Sequence, residues 1–331
     1  MKIVIPDDYQ DVADKLPCFA LIRHHEVTRY TDAAHDLDTL VERLGDADII
    51  VSIRERVPLS RALLERLPKL KLIALLGRSA STIDFAACTE LGIPVATGVS
   101  NSPESPAEHT IALILSSRRN ITREAEGMKR GALPSTIAHR LHGSTFGVFG
   151  LGAIGELVAA AGKGLGMNVL VWGRETSRAK ARDLGYRVAA SQAEFFAQAD
   201  ILSLHVRLSK ETRGMVGPDD LARMKPTALL VNTGRAELIK PGALLAALRQ
   251  GRPGFAAVDV YEEEPVALDH PFLQMPNVLC TPHSAWAEWD NFELYFREAY
   301  EQIVAFENGR PLRLANPSVK PRSNVAMGMP S

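Results

Sequence analysis

Gly150, Gly152 and Gly155 form G-x-G-x-x-G directly after the apolar run 146–149 and directly before a helical pattern. Glycines at that spacing permit a tight turn, close backbone approach to a pyrophosphate, and close packing of helix on strand. The free N–H groups at the helix start, at Ala153 and Ile154, then face the phosphates. The triplet alone could mark any tight strand-to-helix turn. The strand, helix and second strand around it make it a dinucleotide fingerprint. That second strand ends at Trp172, Gly173 and Arg174, where an acid that accepts ribose hydroxyls is expected, and no acid occupies Gly173. Arg174, with Ser177, Arg178 and Lys180 behind it, suits a 2′-phosphate because a guanidinium holds phosphate oxygens bidentately. Glu175 weakens that positive field, and the balance predicts NADP(H) ahead of NAD(H). His139 and His142 stand three apart, but no carboxylate, cysteine or third histidine accompanies them, so no metal is expected.

Two α/β domains must position these residues. Short apolar runs at 2–6, 49–52, 72–76 and 94–96 alternate with helical patterns at 37–44, 60–67 and 84–91, the second expected to be capped by Ser60. This rhythm predicts parallel strands covered by helices. A turn-rich stretch at 98–106 precedes a long helical pattern from 107 to about 123, read as a bridge between domains. From residue 145 a second, larger α/β domain begins, with further strands at 201–205, 228–232, 255–258 and 278–280. A helix at about 287–308 is long enough to run back across a domain face. The fold class expected is therefore two Rossmann-like, doubly wound parallel-sheet domains with a cleft between them. Residues 1–100 plus 287–315 form the substrate domain, 101–286 the dinucleotide-binding domain, and 316–331 a disordered tail.

The 331 residues carry 38 Lys plus Arg against 39 Asp plus Glu, a net charge of −1. So neutral a chain has no field to draw it to phosphate backbones or anionic lipid, and nucleic acid and membrane are excluded as expected partners. The three cysteines, Cys18, Cys88 and Cys280, lie far apart with no C-x-x-C pair. They predict neither a disulfide framework nor a zinc site. With an apolar start broken at Pro6 and no membrane-length apolar run, a cytoplasmic location is expected.

Six segments in order resemble the D-isomer-specific 2-hydroxyacid dehydrogenase family: SPAEHT at 105–110, GLGAIG at 150–155, LHVRLSKET at 204–212, VNTGRAELI at 231–239, VDVYEEEP at 258–265 and TPH at 281–283. The resemblance runs over about residues 1–310 and implies that Arg235, Glu264 and His283 are catalytic. Their chemistry fits. A 2-oxo acid needs its carboxylate fixed and its carbonyl polarised, which the forked guanidinium of Arg235 can do. The developing alkoxide needs a proton, which His283 can supply with Glu264 orienting it. By the same resemblance Asp259 lies near the nicotinamide amide, with helix capping as its alternative. His205 lies at the cofactor's phosphates or ribose, with a buried structural histidine as its alternative. Thr233 and Gly234 contribute backbone near the nicotinamide. Glu108 and His109 are given mainly structural work at the helix start. A homodimer formed largely by the cofactor domain is also implied.

Family members bind the substrate carboxylate partly through a glycine-containing loop, here Gly77, Arg78 and Ser79, with Ser79 in place of a common glycine. Arg54, Glu55 and Arg56 follow another strand on the same expected carboxyl edge, where ligands collect. Arg54 or Arg78 could read a second anionic or polar group on the substrate, or both could be solvent-facing loop arginines. Trp286 and Trp289 stand where a small apolar, glycine-rich turn is common, and Arg207 where proline is frequent. The edge Trp172-Gly173-Arg174 most resembles glyoxylate and hydroxypyruvate reductases. The expected activity is therefore NAD(P)H-dependent reduction of a 2-oxo acid to a D-2-hydroxy acid. The alternative is a non-catalytic, dinucleotide-sensing corepressor of the same family.

Overall fold

The computed structural model describes residues 1–34, 36–53, 56–78, 82–100, 102–310 and 312–322. The chain divides into two compact units, Met1–Asn101 with Glu288–Ser331, and Ser102–Ala287.

The first unit contains β1 (Lys2–Ile5), β2 (Glu26–Arg29), α1 (Leu37–Leu44), β3 (Ile49–Ser52), α2 (Arg61–Leu64), β4 (Leu72–Leu75), α3 (Phe85–Glu90) and β5 (Val95–Thr97). All strands are parallel, in the order β2-β1-β3-β4-β5. Every residue of β3 and β4 is buried. Helices cover both faces of a parallel sheet, which is why these strands read as unbroken apolar runs. The edge strand β2, EVTR, carries no such run and was not among the expected strands. Its Arg29 is instead held by Asp8, Asp11 and Asp14 at 2.8, 2.8 and 2.6 Å. Asp36 and Asp84 cap α1 and α3 by accepting from the Thr39 and Ala87 amides. Ser60 stands at the α2 N-cap but makes no capping hydrogen bond, contrary to expectation.

The second unit opens with α4 (Glu104–Arg119) and α5 (Ile121–Lys129), followed by β6 (Thr145–Phe149), α6 (Ala153–Gly164), β7 (Asn168–Trp172), α7 (Glu175–Asp183) and β8 (Arg187–Val188). It continues with α8 (Gln192–Gln198), β9 (Ile201–Leu204), α9 (Pro218–Arg223), β10 (Leu229–Asn232), α10 (Ala243–Arg249), β11 (Phe255–Val258), α11 (Pro271–Gln274) and β12 (Val278–Cys280). Its seven strands are parallel in the order β12-β11-β10-β9-β6-β7-β8, so the winding reverses between β9 and β6. The helix expected to bridge domains belongs wholly to this unit. Ala107, Thr110, Leu113, Ile114 and Arg118 of α4 are buried, on a face that packs against α6 and β10 to β12. It also ends earlier than expected, because Asn120 turns left-handed at φ 54° before α5 restarts.

The last helix, α12 (Trp289–Glu307), returns to the first unit. Glu288 caps it by accepting from the Asp290 and Asn291 amides, and it packs on β4, β5 and the 3-10 helix Pro17–Leu21. Residues 313–315, expected in this unit, run along β5, and residues 316–322, expected to belong to a disordered tail, continue the contact. Ala315 N donates to Val95 O at 2.8 Å, Thr97 N donates to Arg313 O at 2.8 Å, and buried Asn316 accepts from Val95 N and donates to Ile93 O. An edge strand offers unpaired backbone groups, and this segment fills those of β5 without needing an apolar period. Arg322 then binds the Leu67, Pro68 and Leu91 carbonyls. Residues 323–331 lie outside the described residues.

Candidate active site

Strand register aligns the site. Trp172 pairs with Phe149, Phe149 with Leu204, Leu204 with Asn232, Asn232 with Val258, and Val258 with Cys280. These six residues form one row across the carboxyl edge, with neighbouring strands about 4.8 Å apart. The loops leaving that row carry Gly150, Gly173, His205, Thr233, Asp259 and His283. In an open α/β sheet this edge, at the reversal of winding, is where a ligand binds.

Around β6, β7 and β9 lies a pocket of ≈ 730 Å³ whose wall includes Gly150, Gly152, Arg174, Ser177, His205 and Arg207. Gly150 has φ 91°, and a Cβ there would come within 2.7 Å of the His205 carbonyl. A Cβ at Gly155 would collide with the Gly150 carbonyl, whereas one at Gly152 would meet nothing within 4 Å. Two glycines therefore close the turn, and the third leaves an open cradle before the α6 N-terminus, where Ala153 and Ile154 begin the helix. This arrangement fits a dinucleotide pyrophosphate. Ser177 Oγ accepts from Leu151 N at 3.1 Å and braces the loop.

The basic residues behind Arg174 are already engaged. Arg178 pairs with Glu175 at 2.8 Å and lies over the Trp172 ring, Arg182 also pairs with Glu175, and Lys180 pairs with Glu156. Glu175 is thus neutralised by neighbours on its own helix. Among the described residues, Arg174 and Arg207 line the pocket without an ion pair within 4 Å, although Glu211 stands on the same wall within electrostatic reach of Arg174. His205 donates to or accepts from Ser203 Oγ at 2.8 Å, and burial pushes its imidazole down to about 4. It is a neutral histidine, bonded within its own strand end and lining the pocket. The pocket wall does not include Thr233, Gly234 or Asp259.

His283 Nδ1 lies 2.7 Å from Glu264 Oε2, and the other Glu264 oxygen accepts from Tyr261 N at 3.0 Å. The two side chains retain 23% and 29% exposure, so the pair is open to a ligand. His283 has φ 50°, a left-handed conformation that non-glycine residues adopt only when their surroundings hold them there. Asp259 provides that hold. Its fully buried carboxylate accepts from Thr281 Oγ1 at 2.6 Å and from the Ser284 and Ala285 amides at 2.9 Å. Burial alone would raise its pKa, but hydrogen bonds from His109, Thr281 and the two amides keep it below the usual carboxylate range.

Arg235 follows β10 and donates to the Gly234 carbonyl at 2.8 Å, while Asn232 donates to Arg235 O and accepts from Gly234 N. The SPAEHT segment clamps these loops from the start of α4. Ser105 donates to Ala285 O, His109 Nε2 reaches Thr281 Oγ1 at 3.1 Å, and Thr110 Oγ1 contacts Thr233 Oγ1 at 2.8 Å. Sequence reasoning gave His109 structural work but missed Ser105, Thr110 and Asn232. Their sole signal was their place inside motifs already singled out. In the first unit, Gly77 O accepts from Gly98 N and Thr97 Oγ1, and Arg78 is exposed. Arg56 is tied to Asp7 O and Gln10 and stacks on Tyr9. Arg54, Glu55 and Ser79 lie outside the described residues.

Residues 111–285 match the family model described as D-isomer specific 2-hydroxyacid dehydrogenase, NAD binding domain. A glyoxylate reductase of Aeropyrum pernix is 35% identical over 295 residues, 85% of this chain and 87% of its own. The chain belongs to the D-isomer specific 2-hydroxyacid dehydrogenase family. A glycerate dehydrogenase of Methylorubrum extorquens is 31% identical over 87% of this chain and 91% of its own. The crystal structure of a phosphoglycerate oxidoreductase from Vibrio cholerae matches with a TM-score of 0.89 at 44% identity, covering 93% of this chain and 99% of that one. This D-2-hydroxyacid dehydrogenase is accordingly a nicotinamide-dependent oxidoreductase acting on the CH–OH group of 2-hydroxy acids. The corepressor reading is not favoured. No helix among the described residues is long and apolar enough to cross a membrane.

Proposed function

We propose that this dehydrogenase reduces glyoxylate or hydroxypyruvate with NADPH, through Arg235, His283 and Glu264. The observation that carries the reading is the 2.7 Å His283–Glu264 pair on loops next to the Arg235 loop, all leaving one edge of the sheet. Bound nicotinamide supplies the hydride in reduction and accepts it in oxidation. Arg235 grips the substrate carboxylate and polarises its carbonyl. With Nδ1 committed to Glu264, His283 presents Nε2 to the substrate oxygen. It gives that oxygen a proton in reduction and takes one in oxidation. Glu264 sets the ring's orientation through that contact. Asp259, Thr233 and Gly234 serve the nicotinamide end of the same row.

NADPH is favoured because Arg174 and Arg207 line the pocket without an ion pair within 4 Å among the described residues, while Glu175 is spent on Arg178 and Arg182. Gly77, Arg78, Ser79 and Arg54 belong to the substrate side by motif position. A homodimer is supported by the exposed apolar side chains of Ile121, Met128, Leu133 and Ile137 in the cofactor unit. Three free cysteines accord with a reducing cytoplasm.

The test follows reduced-nicotinamide absorbance with NADPH and NADH in parallel, against glyoxylate, hydroxypyruvate, pyruvate and phenylpyruvate. The proposal expects the highest kcat/KM with NADPH and one of the first two acids, and Arg174→Asp to reverse the cofactor preference. Equal use of both cofactors, unchanged by Arg174→Asp, would overturn the cofactor assignment. Preference for pyruvate or phenylpyruvate would overturn the substrate assignment.

A further inference from the structure

A second group of chemically able side chains lies in the first unit, whereas the residues assigned to catalysis belong to the second. His24 and His25 occupy the turn ahead of β2, and Glu307 is the last residue of α12. His24 Nε2 lies 3.3 and 3.2 Å from the two Glu307 oxygens, and His25 Nε2 lies 3.5 Å from Oε2. One donor atom from each residue falls within 4.8 Å of the others.

The decisive atom is His25 Nε2. The His25 side chain is 5% exposed, yet this nitrogen makes no well-formed hydrogen bond: its contact is the long 3.5 Å approach to Glu307 Oε2, at which it is aimed. A buried polar atom without a partner is costly, and native structures rarely keep one without a reason. We propose that His24, His25 and Glu307 bind a divalent transition-metal ion, with zinc the best match. Two imidazoles and a carboxylate are a donor set this ion takes. Zinc bonds of about 2.0–2.1 Å in a tetrahedron place neighbouring donors about 3.3 Å apart. The 3.2 and 3.5 Å separations to Glu307 have that length. The imidazole rings, 4.0 Å apart and tilted by 44°, converge once the more exposed His24 ring turns toward the ion. His24 and Glu307 keep 53% and 37% exposure, so solvent reaches the fourth position.

Such an ion ties the turn that feeds the edge strand β2 to the end of α12. Its role is to brace the open edge of the sheet, separately from turnover.

The test uses the full chain, stripped with chelator and titrated with cobalt(II), then zinc(II). The expected result is a saturable visible cobalt spectrum of low coordination number at one equivalent, displaced by zinc, with zinc raising Tm by mass action. His24→Ala and Glu307→Gln alter exposed side chains and should weaken cobalt binding at least tenfold. His142→Ala should leave it unchanged. Absence of a saturable cobalt spectrum would overturn the proposal. So would wild-type cobalt affinity in both His24→Ala and Glu307→Gln, which would place the ion elsewhere.

Discussion

At the scale of single residues, the histidine proposed for proton transfer and the buried one differ in their neighbours. His283 faces a carboxylate and keeps access to solvent, whereas His205 faces a serine hydroxyl and is pushed down to about 4 by burial. The unfolded chain takes up a proton at the ordinary histidine value of about 6.5, which folded His205 refuses until the pH nears 4. Its effect on stability is therefore absent above about pH 6.5 and grows as pH falls toward 4, reaching roughly 3 kcal/mol of destabilisation. His205→Gln should flatten the acid limb of unfolding free energy measured in urea between those values. Limbs of equal slope in the two proteins would show that another group carries it. Both histidines stood out in sequence as members of motifs, but the partners that orient their rings, Ser203 and Glu264, are brought to them by the fold. The His24, His25 and Glu307 cluster was not visible at all, because His25 and Glu307 lie 282 positions apart in the chain.

At the scale of elements, the strand ends make the site. Parallel strands with fully buried faces were legible as apolar runs, and the loops after them inherited their positions from register. The edge strands β2 and β8 were not legible, since EVTR and the two-residue β8 carry no unbroken apolar signal. The return of residues 313–316 along β5 was hidden for a related reason: backbone groups and Asn316 make that contact. The loop carrying His283 shows how much one buried side chain can hold. Asp259→Asn would set an amide N–H against one of the donors from Thr281, Ser284 or Ala285. Leaving a buried group unsatisfied costs about 1–3 kcal/mol. The expected outcome in denaturant unfolding is a loss of that size, accompanied by reduced kcat as the left-handed His283 relaxes. Wild-type stability and turnover in Asp259→Asn would show that the loop is held by other means.

At the scale of the whole molecule, two parallel sheets divide the work. The larger one carries the glycine cradle and the His283–Glu264 pair proposed for catalysis, at strand ends whose order reverses between β9 and β6; the β/α alternation in the sequence announced parallel strands but not that order. The quaternary state leaves a weaker trace in the chain. The segment at 131–144 has little periodicity, yet Leu133 and Ile137 are exposed in it, next to Met128 and Ile121. Exposed apolar side chains of that size support the proposed dimer interface. Ile137→Asp should convert a dimer to a monomer in light scattering after size exclusion, while a wild-type chain already monomeric would exclude the interface.

The central claim is that His283, oriented by Glu264, delivers the proton that completes reduction. The most direct measurement is glyoxylate and hydroxypyruvate reduction by wild type and His283→Gln across pH, with reduced-cofactor affinity followed by nicotinamide fluorescence. The account predicts unchanged cofactor affinity and a kcat about 10²–10⁴-fold lower at every pH where the wild type turns over. Turnover by His283→Gln at the wild-type rate would contradict it.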